Sequence, residues 1–573
     1  MPKLKRKKAY AEATVTSFGG LRDDADSSSL GAVSIRNFCF RSDRTLEKRN
    51  GYVKEKEFGA PIRALWQSAK GNFAGRFYLA GSDIFYEDTG GGTYPYGQVQ
   101  TSTGEANFFV YRGHLYLVDS SCIYCCNHAQ NRFLPACGYA PLLGEHWNPA
   151  TGTGSVHENP NLLSTRIRVS YDCPAGTRQI RLPYPAESID AVTSNGVALA
   201  YSFTTGNRLL TLTNASAECT VEVAMTLGAS YAPLRWSLLT CTLPFGFQKI
   251  DREYLYLTGG IEGYRVFSAA TVSNQMLTLC QRAYPDADPL YFKSTGMLVL
   301  GDQDHPLRAF ARHNGRVIAF GTSGAWSLTR ADEGDTVEAY FLDCCPGCVA
   351  REGALSIGEE LLVLTPQGLC SLRADSADKD HFSVTPLALE LAKTFAGFDA
   401  TRAILHYDSS KNRVLLRDTG ETAEGLVYLY DRTQRLWTAW NHIPAARFFE
   451  IEQAIFFCRE NKLFRFDDAL YLDDGEAFTA SYQSGAISFD TPEEYKRSLR
   501  FYCEVSADGE QLRLKVKTES SSAEDTRTCQ NSDFPEHCEC RVPAARFRNF
   551  CYRISFLGQG QAILHRVGFC ATL

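Results

Sequence analysis

The sequence predicts an all-β chain whose middle is a β-propeller of about seven blades, with one β-sandwich inserted in it and a second at the C-terminal end. Three observations carry this. A strand–turn–strand unit ending in an aromatic recurs through the middle of the chain. Its copies are spaced at about 40 to 45 residues, the length a four-stranded blade needs. The aromatic content of 12%, with 28 Tyr and 35 Phe, favours sheet, where flat rings pack on a pleated surface. At 573 residues the chain is too long for one compact core. Its 44% hydrophobic and 22% charged residues are ordinary for a globular protein.

Residues 1–58 lack a dense apolar pattern and read as an extended N-terminal arm. Lys3, Lys5, Arg6, Lys7 and Lys8 crowd positive charge at its start. A solvated tail and an arm lying on an acidic neighbouring subunit both fit that charge run. After the acidic, Ser-rich stretch Asp23 to Ser29 come Ile35 to Phe40 and Leu46 to Tyr52. Either the arm joins the first or last blade as a strand, or it is an ordinary closing strand with a frayed tail.

The propeller is predicted over 59–145 and 232–474. Its repeating unit reads Arg76 to Tyr86, His114 to Tyr124, Arg316 to Trp326, Glu360 to Leu372 and Ala454 to Phe466, with weaker copies at Tyr254 to Phe267 and Arg413 to Tyr430. Four or five β-formers bounded by Gly, Ser, Thr or Asn turns read as paired strands. One hairpin cannot bury its own face, whereas hairpins repeated around a ring can. Leu79 and Leu117 lie 38 residues apart, Ala319 and Val363 44, and Leu416 and Phe457 41. From Leu117 to Leu257 is 140 residues, and the excess falls at 146–231. There Arg166 to Tyr171, Arg178 to Pro183, Ile189 to Val192, Leu209 to Leu212 and Thr220 to Ala224 alternate apolar and polar residues, with Asn195-Gly196 as a tight-turn signal. This segment is predicted to be an inserted β-sandwich.

Residues 475–573 are predicted as the second sandwich. Leu499 to Val505, Leu512 to Lys517, Glu539 to Val542, Tyr552 to Phe556 and Ala562 to Val567 alternate cleanly. Asp508-Gly509 is expected to turn the chain between the first two of these strands, and Glu519 to Pro535 to form a polar loop.

Composition narrows function. A net charge of -6 argues against nucleic acid as the main partner. No apolar run approaches the ~18 residues of a membrane span, and no secretory signal follows the basic start, so folding in a cytoplasm is expected. In that compartment the 20 Cys read as small buried hydrophobes. Cys345-x-x-Cys348 and Cys122-x-x-Cys125 have zinc-pair spacing, but neither has a convincing second pair, so no metal is assigned. The clusters Asp23-Asp24-Ala-Asp26, Asp286-Ala-Asp288 and Asp302-Gln-Asp304 lack calcium-loop spacing and lie among turn residues. No nucleophile elbow, P-loop or H-E-x-x-H occurs. Gly324-Ala325-Trp326 matches only the end of the Ser-x-Asp-x-Gly-x-Thr-Trp box that sialidase-like propeller enzymes repeat. Neither an enzyme nor a cofactor is expected.

Residues 18–52 carry the pattern Phe18-Gly19-Gly20-Leu21, then Arg36-Asn37-Phe38, then Leu46-x-x-Arg49-x-Gly51-Tyr52, and the C-terminal region carries Arg553-Ile554-Ser-Phe-x-Gly558-x-Gly560. In this pattern and in layout the chain resembles the nozzle, or tail tubular B, proteins and the particle-stabilising proteins of tailed bacteriophages. Where those have a Pro-rich segment, this chain has Ser27-Ser28-Ser29. The resemblance implies a virion structural protein of the tail or neck, present as a ring of six or twelve copies around the DNA exit channel. Its implied partners are further copies of itself and neighbouring portal, adaptor or tail proteins, with DNA only in transit during ejection. It places subunit contacts at Lys3, Lys5, Arg6, Lys7, Lys8, Phe18, Asn37 and Arg49. Two rival readings are a tail module that binds host glycan or protein, and a propeller glycoside hydrolase.

Overall fold

The computed structural model describes residues 10–572 except 25–30, 69–73, 105, 112–113, 120–122, 137–138, 162–163, 229–247, 250–255, 259–264, 269–290, 292–296, 301–306, 315, 331–336, 344, 352, 375–381, 422, 490–492 and 543–545. Among the described residues the regular structure is β-strand, apart from the short α-helix Ala392–Ala396 and isolated 3-10 turns.

Antiparallel four-stranded meanders follow one another through the middle of the chain. The first is Ile62–Ser68, Gly75–Ala80, Asp83–Glu87 and Thr93–Gln98. The second is Asn107–Tyr111, His114–Val118, Ile123–Asn127 and Arg132–Pro135. The third is Gln248–Lys249, Tyr256–Thr258, Arg265–Ser268 and Met297–Val299. The fourth is Leu307–His313, Arg316–Gly321, Ala325–Arg330 and Val337–Leu342. The fifth is Ala354–Ile357, Glu360–Thr365, Gly368–Ala374 and Phe382–Pro386. The sixth is Ala403–Asp408, Arg413–Asp418, Val427–Asp431 and Leu436–Trp440. The seventh takes three strands in sequence, Arg447–Ile451, Ala454–Arg459 and Lys462–Asp467, and its fourth, Gly51–Glu57, from the N-terminal arm.

The sequence explains why these sheets stack. Four of their second strands are apolar on both faces: Phe77 to Ala80, Val317 to Phe320, Leu361 to Leu364 and Ile455 to Cys458 are all buried. A strand with no polar face needs cover on both sides. The first strands of successive sheets lie side by side in the order third, fourth, fifth, sixth, seventh, first, second. Side chains from neighbouring sheets share cores. Phe77, Leu79, Phe108 and Leu117 join the first and second sheets, and Leu364, Leu369, Leu405 and Leu416 the fifth and sixth. Tyr78, Phe58, Phe456 and Leu463 join the seventh to the first.

Between the second and third sheets, two further sheets share one core. The larger runs Leu142–Trp147, Arg166–Cys173, Cys219–Leu227, Ala186–Ser194 and Val197–Ala198; the smaller runs Gln179–Arg181, Leu209–Leu212 and Tyr201–Phe203. Tyr171, Ile180, Leu210 and Val223 pack between them. Asn195 and Gly196, at φ 47° and 80°, make the tight turn expected of an Asn-Gly pair.

The C-terminal strands are Glu476–Ser484, Ser498–Thr518, Ser522–Val542, Phe550–Gly558 and Ala562–Thr572. Two sequence expectations fail here. Asp508-Gly509 does not end a strand: the chain runs on from Ser498 to Thr518, and these residues sit at register shifts against the partner strand. Gly509, at φ 70°, absorbs the bend as a bulge rather than a turn. Glu519 to Pro535 is likewise not a loop, because Ser522–Val542 pairs along Ser498–Thr518. The N-terminal arm threads this region. Tyr10–Val15 pairs with Ala562–Thr572, Ala32–Arg36 with Glu476–Ser484, and Leu46–Lys48 with Ala562–Thr572. Phe18, Ile35, Phe38 and Leu46 are buried with Phe501, Leu514, Ile554 and Phe556.

Candidate functional site

The most heavily determined polar site is the junction where the arm, the sixth sheet and the C-terminal strands meet. Arg49 is 1% exposed at its centre. Its Nη1 and Nη2 donate to the two carboxylate oxygens of Asp473 at 2.7 and 2.5 Å. Its Nε donates to Asn37 Oδ1 at 2.9 Å, and its remaining hydrogens reach the carbonyls of Asn50 and Asn441. The guanidinium lies 3.9 Å from the centre of the Phe478 ring. A planar fork with five donors is the one cation that satisfies all these partners. Asn37 holds φ +58°, a region Asn tolerates better than bulkier residues. Its side chain donates to the Thr479 carbonyl at 2.8 Å and to Asn441, and accepts from the Asn441 N–H at 3.0 Å.

A second buried pair lies next to it. Lys48 donates to Glu510 at 2.8 Å and to the Gly558 carbonyl at 2.9 Å, and both charged side chains are fully enclosed. Burial pushes the Lys48 ammonium below its ordinary range, against the pull of Glu510. The Gly560 N–H donates to the same Glu510 oxygen at 2.8 Å, while Oε2 of Glu510 is buried with no hydrogen-bond partner. A Cβ on Gly558 would come within 2.7 Å of that carboxylate.

These contacts account for the sequence pattern residue by residue. Leu46 and Phe38 are core, and Asn37 and Arg49 are the polar hub. Gly51 is required because a Cβ there would lie 1.8 Å from the Leu472 carbonyl oxygen. Tyr52 donates to the His442 carbonyl at 2.8 Å and meets Phe457 and Phe464 edge-on. Gly558 and Gly560 form the cradle for Glu510.

Of the residues expected at subunit contacts, Phe18, Asn37 and Arg49 are enclosed by the chain's own residues, Phe18 against Tyr482. Lys3, Lys5, Arg6, Lys7 and Lys8 lie outside the described residues, as do Asp26, Ser27, Ser28, Ser29, Cys122, Asp286, Asp288, Asp302 and Asp304. Asp23 caps the Ala392–Ala396 helix, accepting from the N–H groups of Lys393 and Thr394 at 2.6 and 3.0 Å. Cys345 and Cys348 are buried, and the Cys348 thiol donates to the Ala350 carbonyl at 3.2 Å. Among the described residues, no group of three or more His, Cys, Asp or Glu is placed to hold a metal, and no helix is long and apolar enough to cross a membrane.

A cavity of ≈ 450 Å³ opens where the first strands of the first, sixth and seventh sheets begin; the described residues that line it include Arg63, Arg351, Arg402 and Arg447 and no carboxylate. Arg63 donates to the carbonyls of Gly81, Thr101 and Gly104 at 2.7 to 2.8 Å, and Arg447 to those of Arg63 and Ala106 at 3.1 Å. These two guanidiniums tie loops together. Sequence reasoning missed Lys48, Glu510 and Asp473, since only the fold brings residues more than 400 positions apart together.

No protein-family model matches the chain, and no curated protein matches it in sequence. Among solved structures it is similar to virginiamycin B lyase from Staphylococcus aureus, at a TM-score of 0.34 and 7% identity, over 73% of this chain and 98% of that one.

Proposed function

We propose that this chain is a structural component of a bacteriophage tail or neck, built on a seven-bladed β-propeller that its own N-terminal strand closes. In this reading 1–58 is the arm, 59–145 and 232–474 are the propeller, 146–231 is an inserted β-sandwich and 475–573 is a C-terminal one. The observation that carries it is the junction at Arg49. Asn37, Arg49, Gly51, Tyr52, Gly558 and Gly560, through which the sequence resembles phage particle proteins, are all used to lock arm, sheets and C-terminal strands together. Such residues serve a body that has to hold its shape. The side-by-side order of the first strands supports a ring, and closing it with strand Gly51–Glu57 buries an edge that would otherwise be open.

The function is that of a ring subunit in the virion, six or twelve copies around a channel through which DNA passes, made in the host cytoplasm. Exposed Tyr184, Val197, Tyr201 and Leu209 give the inserted domain apolar surface for a neighbour. In this reading the positive charge of Lys3, Lys5, Arg6, Lys7 and Lys8 suits an acidic portal, adaptor or tail protein. Electron microscopy and mass measurement of the purified full chain, alone and on particles, test this. Rings of six or twelve support it. A chain that stays monomeric at micromolar concentration and is absent from purified particles overturns it.

A further inference from the structure

A polar cavity of ≈ 440 Å³ lies at the perimeter, between the fifth and sixth sheets, away from the junction and from the cavity at the first strands. Its floor comes from the last two strands of the fifth sheet. There Ser371 and Thr385 are directly opposite, as are Arg373 and Ser383, so all four project from one face. Its far wall comes from the third strand of the sixth sheet and the turn after it: Tyr430, Arg432 and Arg435.

Among the described residues that line it, three guanidiniums face a single carboxylate, Glu360. That carboxylate accepts from Arg432 at 2.9 Å and from Arg373. Burial raises the Glu360 pKa and the two arginines lower it, with a net shift downward that keeps it ionised. Arg432 is held in place by a bond to Asn412 at 2.7 Å and by the Tyr407 ring 5.6 Å from its guanidinium carbon. Its Nε is buried with no hydrogen-bond partner. Arg435, at φ 57°, is projected at the rim from a left-handed turn position. Glu360 therefore orients two forks through one nitrogen of each, and the third is left at the mouth. A guanidinium fork matches a carboxylate in geometry, and surrounding hydroxyls match a hydroxylated ligand. The volume suits one or two sugar rings.

We propose that this cavity binds an acidic sugar, a uronic or nonulosonic acid, with its carboxylate on Arg432 and Arg435 and its hydroxyls on Ser371, Thr385 and Tyr430. The inference does not depend on the assembly reading, because it concerns one cleft of one subunit. Calorimetric titration of the full chain with glucuronate, N-acetylneuraminate, glucose and inorganic phosphate tests it. The expected result is saturable binding of at least one sugar acid, at least about tenfold tighter than glucose or phosphate. Arg435→Ala, at an exposed position, is expected to weaken it about tenfold with unfolding unchanged, and Arg432→Lys to do the same where that variant folds. Phosphate binding as tightly as the sugar acids overturns the assignment. So does equal binding by Arg435→Ala, or no saturable binding of either acid.

Discussion

Arg49 and Asp473, 424 positions apart, form a two-point ion pair in which each guanidinium terminus meets its own carboxylate oxygen. Enclosed in this way, the pair is costly to break from one side. Removing the cation leaves a buried carboxylate with no counter-charge, at about 3–5 kcal/mol. Arg49→Met is therefore expected to lower stability by that amount and to free the arm for proteolysis. Arg49→Lys keeps the charge but cannot serve Asn37, Asp473 and the two carbonyls together, and is expected to cost about 2 kcal/mol. Denaturant unfolding and limited proteolysis check both; a Lys variant as stable as the native chain would refute the need for the fork.

Lys48 and Glu510 make a parallel case with a different remedy. Lys48→Met strands the Glu510 carboxylate, again at about 3–5 kcal/mol. Adding Glu510→Gln removes the charge while keeping an acceptor for the Gly560 N–H. The double variant is expected to recover at least half of the loss, read as a denaturant midpoint. Additive losses would show that the two residues do not act as a pair.

The parts of the fold that could be read in the sequence are those set by local pattern. Phe77 to Ala80 and Leu361 to Leu364 are apolar on both faces, so they announce strands covered on two sides. Asn195-Gly196 announces its own turn. The strand Ser498–Thr518 misled because Asp508-Gly509 has turn chemistry; a left-handed glycine serves a bulge as well as a turn, and only the partner strand decides between them. The candidate site was half legible. Asn37, Arg49 and Gly51 stand out as a spaced pattern, but Asp473 and Glu510 look like any other surface acid until the arm is threaded past them. The resemblance puts Phe18, Asn37 and Arg49 at subunit contacts, because a sequence does not mark which side chains its own fold encloses.

Gly51 tests the closure of the seventh sheet. A methyl group there would meet the backbone of Leu472, which cannot swing aside as a side chain would. Gly51→Ala is expected to displace strand Gly51–Glu57 from Lys462–Asp467 and leave an open edge, seen as aggregation and a loss of several degrees in Tm. Gly59→Ala, where a Cβ would meet nothing within 4 Å, is the matched control and should behave as the native chain. Equal behaviour of the two variants would mean that the arm's last strand is dispensable.

The response to acid should be governed by histidines before carboxylates. His406 stacks on Phe448 of the seventh sheet, with ring centres 5.7 Å apart, and its Nε2 is buried without a partner. Burial holds its pKa down at about 4, with Asp408 raising it and Arg447 lowering it further. Burial also depresses His313 and His565. In the unfolded chain an imidazole titrates near about 6.5. As pH falls below that value the unfolded state gains the proton first, so stability is complete above about 6.5 and declines toward 4. For His406 alone the loss at pH 5 is about 2 kcal/mol. His406→Phe keeps a ring against Phe448 and removes the proton site. Its denaturant stability should fall less between pH 7 and pH 5 than that of the native chain, by about that amount. The same slope in both proteins would show that His406 is not held neutral in the fold.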